Sequence, residues 1–200
     1  MATAELIHAR KKNTREFKAW SRWMEAVADL SGRYARHVTN DDPFAYNETA
    51  SVSVLAAAAA CAGYVGLAEF STAKTREGQH EPAHGRSDFW MKAEGRSWAF
   101  EFKQWTGTTP ASKRLISFMR KAEVCARQIA KGDADRSVAG LIIPLYHIRK
   151  SKRGNKAANR ARAGLLMAEF AANCDYVWEV RPEDETPSTY FMFNIVHRWN

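Results

Sequence analysis

The sequence predicts a mixed α/β sandwich built on one central sheet, and three observations carry that prediction. Arg86 to Trp105 (RSDFWMKAEGRSWAFEFKQW) alternates aromatic and polar residues on either side of a turn at Glu94-Gly95, the pattern of a β-hairpin with one buried face. A helix-length amphipathic segment follows, and then Ser137 to Ile148 (SVAGLIIPLYHI), apolar enough to be covered on both faces. That succession suits a strand, a crossover helix and a parallel strand. Helical periods earlier and later in the chain supply the layers that cover the sheet.

Taken in order, residues 4 to 37 place Phe17, Trp20, Trp23, Met24, Val27, Leu30 and Tyr34 at helical spacing. Two Trp on such a stripe read as core packing; the alternatives are a homodimer face or a base-stacking surface. Asn40-Asp41-Asp42-Pro43 ends the segment, so residues 1–42 are expected as an N-terminal helical extension and 43–200 as the α/β domain. The Ala-rich stretch from Glu48 to about Ala62 is expected as a helix able to lie close to a sheet, with Gly63 as its stop. Tyr64 to Thr72 reads as a strand, and Lys74 to Gly85 as a polar loop that delivers the chain to the hairpin. After Trp105, Thr109 and Pro110 are placed as the N-cap and first residue of a helix running to about Lys131. Leu115, Phe118, Met119, Ala122, Cys125 and Ile129 form its apolar stripe, and Lys113, Arg120, Arg127 and Lys131 a basic one. Pro144 implies a bend or a sheet edge in the strand that follows. A helix from about Lys156 to Asn173 and strands at Tyr176 to Val180 and Ser188 to Trp199 complete the order.

A chain of 200 residues is long enough for one domain with a substantial core. Its net charge of +8 favours a polyanionic partner such as nucleic acid over an acidic small molecule. Cys61, Cys125 and Cys174 are odd in number and lie far apart in apolar or helical contexts, the usage of reduced, buried thiols in a cytoplasmic protein. None has metal-ligand spacing to another Cys or to His, and His80 and His84 flanking Glu81 read as a polar loop. Thr49 to Ala68 carries no charge, but its Ala, Ser, Thr and Gly content is too weakly apolar for a membrane span, and no targeting segment is visible at the N-terminus. No Gly-rich phosphate loop, Gly-x-Ser-x-Gly elbow or Cys-His pair occurs, which argues against nucleotide hydrolysis and covalent nucleophilic catalysis.

The hairpin is where the chemistry is expected. A turn centred between Glu94 and Gly95 sets Asp88 opposite Glu101 and Arg86 opposite Lys103. Trp98, Phe100 and Phe102 then share the core face, while Glu101 and Lys103 share the polar face with Asp88. Facing carboxylates repel unless a cation lies between them, and hard oxygen ligands suit Mg²⁺ or Mn²⁺. Lys103, two residues beyond the second carboxylate, is placed to hold or activate a water beside the metal. Without a metal the same residues would form ordinary cross-strand ion pairs. The tripeptide itself carries no weight, because Glu16-Phe17-Lys18-Ala19-Trp20 repeats it in a stretch that reads as helix.

Asp88, followed on the next strand by Glu101-Phe102-Lys103, resembles the core of the PD-(D/E)xK nuclease superfamily, the restriction-endonuclease-like fold, with Ser87 where that pattern has Pro. The resemblance implies a metal-dependent nuclease, an endonuclease in preference to an exonuclease, with DNA as the expected substrate. Asp88 and Glu101 would hold Mg²⁺ or Mn²⁺, and Lys103 would position and activate the attacking water. In that superfamily a helix bearing a Glu precedes the first strand and the Glu often adds a metal ligand; Glu48 matches that position, and Glu69 in the first strand is a second candidate. The basic stripe Lys113, Arg120 and Arg127 and the cationic run Arg149, Lys150, Lys152, Arg153, Lys156, Arg160 and Arg162 are the expected contacts to a phosphate backbone. The competing readings are a non-catalytic nucleic-acid-binding or regulatory protein on the same scaffold, and a structural protein associating through the Trp-bearing helix.

Overall fold

A computed structural model describes residues 1–38, 41–74, 83–107, 111–146, 156–183 and 187–199. The elements are β1 (Thr3–Ala9), α1 (Arg15–His37), α2 (Glu48–Cys61), β2 (Val65–Lys74), β3 (Ala83–Ala93), β4 (Arg96–Gln104), α3 (Ser112–Arg127), β5 (Arg136–Pro144), α4 (Lys156–Ala171), β6 (Tyr176–Arg181) and β7 (Thr189–Arg198). The strands form one seven-stranded sheet in the order β1-β6-β7-β5-β4-β3-β2. Only β4 and β5, joined through α3, are parallel; every other neighbouring pair is antiparallel. The fold is therefore α/β with a mixed sheet, as expected.

Alternation along β4 decides the layers. Trp98, Phe100 and Phe102 point to the face covered by α1 and α2, where Trp20 lies 5.6 Å from Phe100 and 5.1 Å from Phe193 between ring centroids. Trp23 packs on Phe89 and donates its indole N–H to the Leu55 carbonyl at 2.9 Å, which locks α1 to α2. Both Trp are fully buried, so the stripe is core and not an association surface. α2 lies close to the sheet because Ala faces it and Gly66 meets it: a Cβ on Gly66 would stand 3.0 Å from Ala59 Cβ. On the other face, α3 and α4 cover Leu141, Ile143, Val177 and Met192.

Several expectations are corrected. Thr3–Ala9 is a strand and not part of the first helix; it pairs with β6 at the sheet edge, where exposed and half-buried positions suffice. With α1 in the central aromatic core, residues 1–42 contribute to the same core as the rest of the chain. β5 is buried at every position and runs between β4 and β7; Pro144 is its last residue, where a missing N–H does not interrupt the ladder. α3 stops at Arg127, leaving Ile129 and Lys131 outside it, with Ile129 bridged to Lys74. Its N-cap is Ala111, with no side-chain capping bond, while Thr109 and Pro110 lie outside the described residues. Cys61 is exposed, Cys125 half-buried and Cys174 buried, all free. No helix among the described residues is long and apolar enough to cross a membrane, and α2 has only 14 residues.

Candidate active site

The hairpin turn has the expected form. Ala93 pairs with Arg96 across a two-residue loop in which Glu94 and Gly95 have φ of 50° and 75°, both left-handed, and the register places Phe89 opposite Phe100. Beyond that pair the ladder stops, which corrects the direct pairings expected for Asp88 and Arg86. Phe102 N–H, whose regular partner would be on Ser87, donates to Asp88 Oδ2 at 2.7 Å. Ser87, fully buried, donates its hydroxyl to the Phe100 carbonyl at 2.9 Å. Two side chains thus take over where backbone pairing ends, which is the local use of a Ser at this position.

The strand break continues into β2. Its register with β3 is the same on both sides of one gap, Ala68 opposite Phe89 and Phe70 opposite Ser87, and the residue in that gap, Glu69, has φ of 53°. A left-handed non-Gly residue costs on the order of 1–2 kcal/mol. Past it the ribbon of Phe70–Lys74 and Ala83–Ser87 is no longer laddered to β4 and is held against the end of α3: Ala130 N–H donates to the Ala73 carbonyl at 3.1 Å, and the Thr72 hydroxyl donates to Asp133 Oδ2. The departure exposes the edge of β4 to side chains and gives Asp88 its position. Glu69 itself turns outward and pairs with Arg86 at 3.3 Å. Neither residue joins the cluster, so Glu69 is not a ligand in this arrangement and Arg86 does not face Lys103.

Four expected residues do come together. Glu101 is 3% exposed, and burial first, then the Asp88 charge, pushes its carboxyl up to about 7 despite the opposing pull of Lys74. Burial likewise raises Asp88, with Glu48 adding repulsion, while the Phe102 N–H and Lys103 act against the rise. Glu48, at the start of α2, accepts from Lys103 Nζ at 3.0 Å through Oε1 and from Gln104 N–H at 3.0 Å through Oε2. Burial alone would lower the Lys103 ammonium, but the bond and charge of Glu48, together with Asp88, raise it. The helix start is fastened here because Gln104 accepts from Ser51 Oγ at 2.8 Å and donates to the Phe44 carbonyl at 2.7 Å. Glu48 also sits in a first helical turn, where a negative charge is favourable.

Sequence reasoning missed one member of the cluster. Lys74 donates to Glu101 Oε1 at 2.7 Å, with side chains 16% and 4% exposed. Lys74 falls in the polar loop expected after Thr72, and β2 includes it by running two residues further, to Lys74. Cys125 on α3 is also close, its thiol raised by burial and then by Glu101.

A groove of about 530 Å³ runs from Lys103 along α3, lined by Lys113, Ile116, Ser117, Arg120, Lys121 and Val124. Two residues of the expected basic stripe, Lys113 and Arg120, are therefore beside the cluster. The third, Arg127, is on another face, lining a cavity with Arg10 and Asp175 and pairing with Glu123 at 3.6 Å. Arg149, Lys150, Lys152 and Arg153 lie outside the described residues, as do the side chains of Lys156 and Arg160, whose backbone belongs to α4. His80 and Glu81 are also outside them.

The chemistry of the donor set fits a hard divalent ion: three carboxylates, two of them desolvated and raised, beside the lysines Lys103 and Lys74. Yet each carboxylate is engaged by an internal donor, and among the described residues no three His, Cys, Asp or Glu side chains form a ready metal-binding group. A divalent ion reaching Glu101 would meet the Lys74 ammonium already bonded to its Oε1. No protein-family model, curated protein or solved structure matches the chain.

Proposed function

We propose that the protein is a metal-dependent nuclease that hydrolyses phosphodiester bonds, with DNA the preferred substrate, on a restriction-endonuclease-like scaffold of the PD-(D/E)xK kind. The observation that carries this reading is the meeting of Asp88, Glu101, Lys103 and Glu48, drawn from three elements, at a break in the β3–β4 ladder. Asp88 and Glu101 would hold Mg²⁺ or Mn²⁺, with Glu48 as a further ligand. A bound ion of this class polarises the phosphoryl oxygen and makes a bound water more acidic. Lys103, whose pKa is raised beside Glu48, enters the site as an ammonium. Its part would be to position and activate the attacking water and to stabilise developing charge. Asp88 is held in place by the Phe102 N–H, which fixes one ligand before substrate arrives. The cationic groove of Lys113, Arg120 and Lys121 leads away from Lys103 and suits a phosphate backbone.

The alternative, a nucleic-acid-binding protein without catalysis, is favoured by one observation: Glu48, Asp88 and Glu101 each already have an internal hydrogen-bond donor. Incubation with supercoiled plasmid, linear and single-stranded DNA, and RNA, each with Mg²⁺, Mn²⁺ or EDTA, separates the two. The nuclease reading expects metal-dependent cleavage that falls by about 10²-fold or more in Lys103→Ala while binding is kept. Salt-sensitive binding with no cleavage under any metal would overturn it in favour of the alternative.

A further inference from the structure

The carboxylate cluster contains a cation that the nuclease reading leaves without a role. Lys74 is the last residue of β2, and the bend at Glu69 carries it over the end of α3 to Glu101, where its Nζ lies 2.7 Å from Oε1. The ribbon end is fixed by the bridge between Lys74 and Ile129 and by the Ala130 N–H to Ala73 carbonyl bond, so the ammonium is delivered by built structure. Three carboxylates and two ammonium groups meet here. Lys103 is bonded to Glu48. That leaves Glu101, the most buried of the three carboxylates, with Lys74 as its bonded counter-charge, beside the half-buried Asp88. A buried carboxylate pair is costly without a cation, and a divalent ion at the same carboxylates would be repelled by an ammonium bonded to one of them.

We propose that Lys74 is an internal counter-cation of the metal site, neutralising Glu101 in the metal-free protein and competing with the divalent ion for it. The proposal rests on the nuclease reading for the identity of the ligands. Lys74 is thus a positioning residue that acts through Glu101 and sets the metal concentration at which the site fills. Its loss has a distinctive sign: the metal binds more tightly although the metal-free protein is weaker. A residue that only held Glu101 in a ligating pose would weaken metal binding when removed.

The experiment is Mn²⁺ titration by calorimetry of the wild type, Lys74→Met, Lys74→Arg and Glu101→Gln, with melting curves of each in EDTA and in Mn²⁺. Lys74→Met is expected to bind Mn²⁺ about tenfold more tightly or better, to melt lower in EDTA, and to gain more from Mn²⁺ than the wild type does. Lys74→Arg, which keeps the charge, is expected to match the wild type; Lys74→Gln substitutes for Lys74→Met if the latter does not fold in EDTA. Unchanged or weaker Mn²⁺ binding in the neutral variants overturns the inference and leaves the nuclease reading standing. Failure of the wild type to bind Mn²⁺ in a way that Glu101→Gln abolishes overturns both.

Discussion

Glu101→Gln tests the electrostatics of the cluster without reference to catalysis. The Glu101 carboxyl is 3% exposed and raised from an ordinary 4.5 to about 7, by burial and then by Asp88. Its folded-state pKa lies above its unfolded value, so its contribution to stability is complete below pH 4.5 and is lost as pH rises through about 7. A rise from 4.5 to about 7 corresponds to about 3 kcal/mol at 1.36 kcal/mol per pH unit. Asp88 is raised as well and shifts in the same direction. Urea unfolding in EDTA at intervals from pH 4.5 to pH 8 should therefore show wild-type stability falling relative to Glu101→Gln by about 3 kcal/mol across the series. Gln at 101 keeps an acceptor for Lys74 but cannot titrate, so its curve lacks this component. Parallel curves for the two proteins would refute the argument and show that the carboxylate is as well stabilised in the fold as in the unfolded chain.

Glu16, 2% exposed, accepts from Arg96 at 2.8 Å and lies 3.5 Å from Arg136; burial would raise it, but its own backbone bond and Arg96 hold its pKa below the ordinary value. Glu16→Ala takes this counter-charge from Arg96, Arg136 and Arg198 and should lower stability by about 3 kcal/mol or more in urea melts at pH 7, with less difference from wild type as the pH falls through and below the ordinary carboxylate range and the carboxylate protonates; an effect under about 1 kcal/mol at pH 7 would contradict the buried-pair account. Glu69→Gly removes a left-handed strain while giving up only an exposed ion pair with Arg86, and should raise stability by about 1 kcal/mol; a loss of that size would mean that the Glu69 side chain holds the bend.

The repeated tripeptide shows how local and distant information divide. Glu16-Phe17-Lys18 and Glu101-Phe102-Lys103 are the same three residues, and their surroundings alone separate them. On α1 the Glu is caught by Arg96 and Arg136 from the starts of β4 and β5; on β4 it meets Asp88 and Lys74. Strand alternation was enough to put Glu101 and Lys103 on the face away from Phe100 and Phe102, and the Glu94-Gly95 turn was enough to bring Asp88 close. Glu48 was reachable through resemblance, but its bonds to Lys103 and Gln104 span more than fifty residues and depend on how α2 docks.

What the sequence by itself determined is what lies within one element or one turn: the helical stripes of α1 and α3, the two-residue hairpin turn and its register near the turn, the crossover from β4 to β5, and the nearness of Asp88 to Glu101 and Lys103. Periodicity and turn geometry are properties of neighbouring residues, so they can be read without the fold. The tertiary structure alone decided that Thr3–Ala9 is a strand, because its pairing with β6 joins residues about 170 apart, and that Arg127 faces away from the groove that holds Lys113 and Arg120. It also decided where the β3–β4 ladder stops. That break comes from side chains of Ser87 and Asp88 replacing backbone partners and from the left-handed turn of Glu69, and it is what brings Lys74 to Glu101. Such competition between side-chain and backbone bonding is settled by packing across the whole sheet, which no local pattern records.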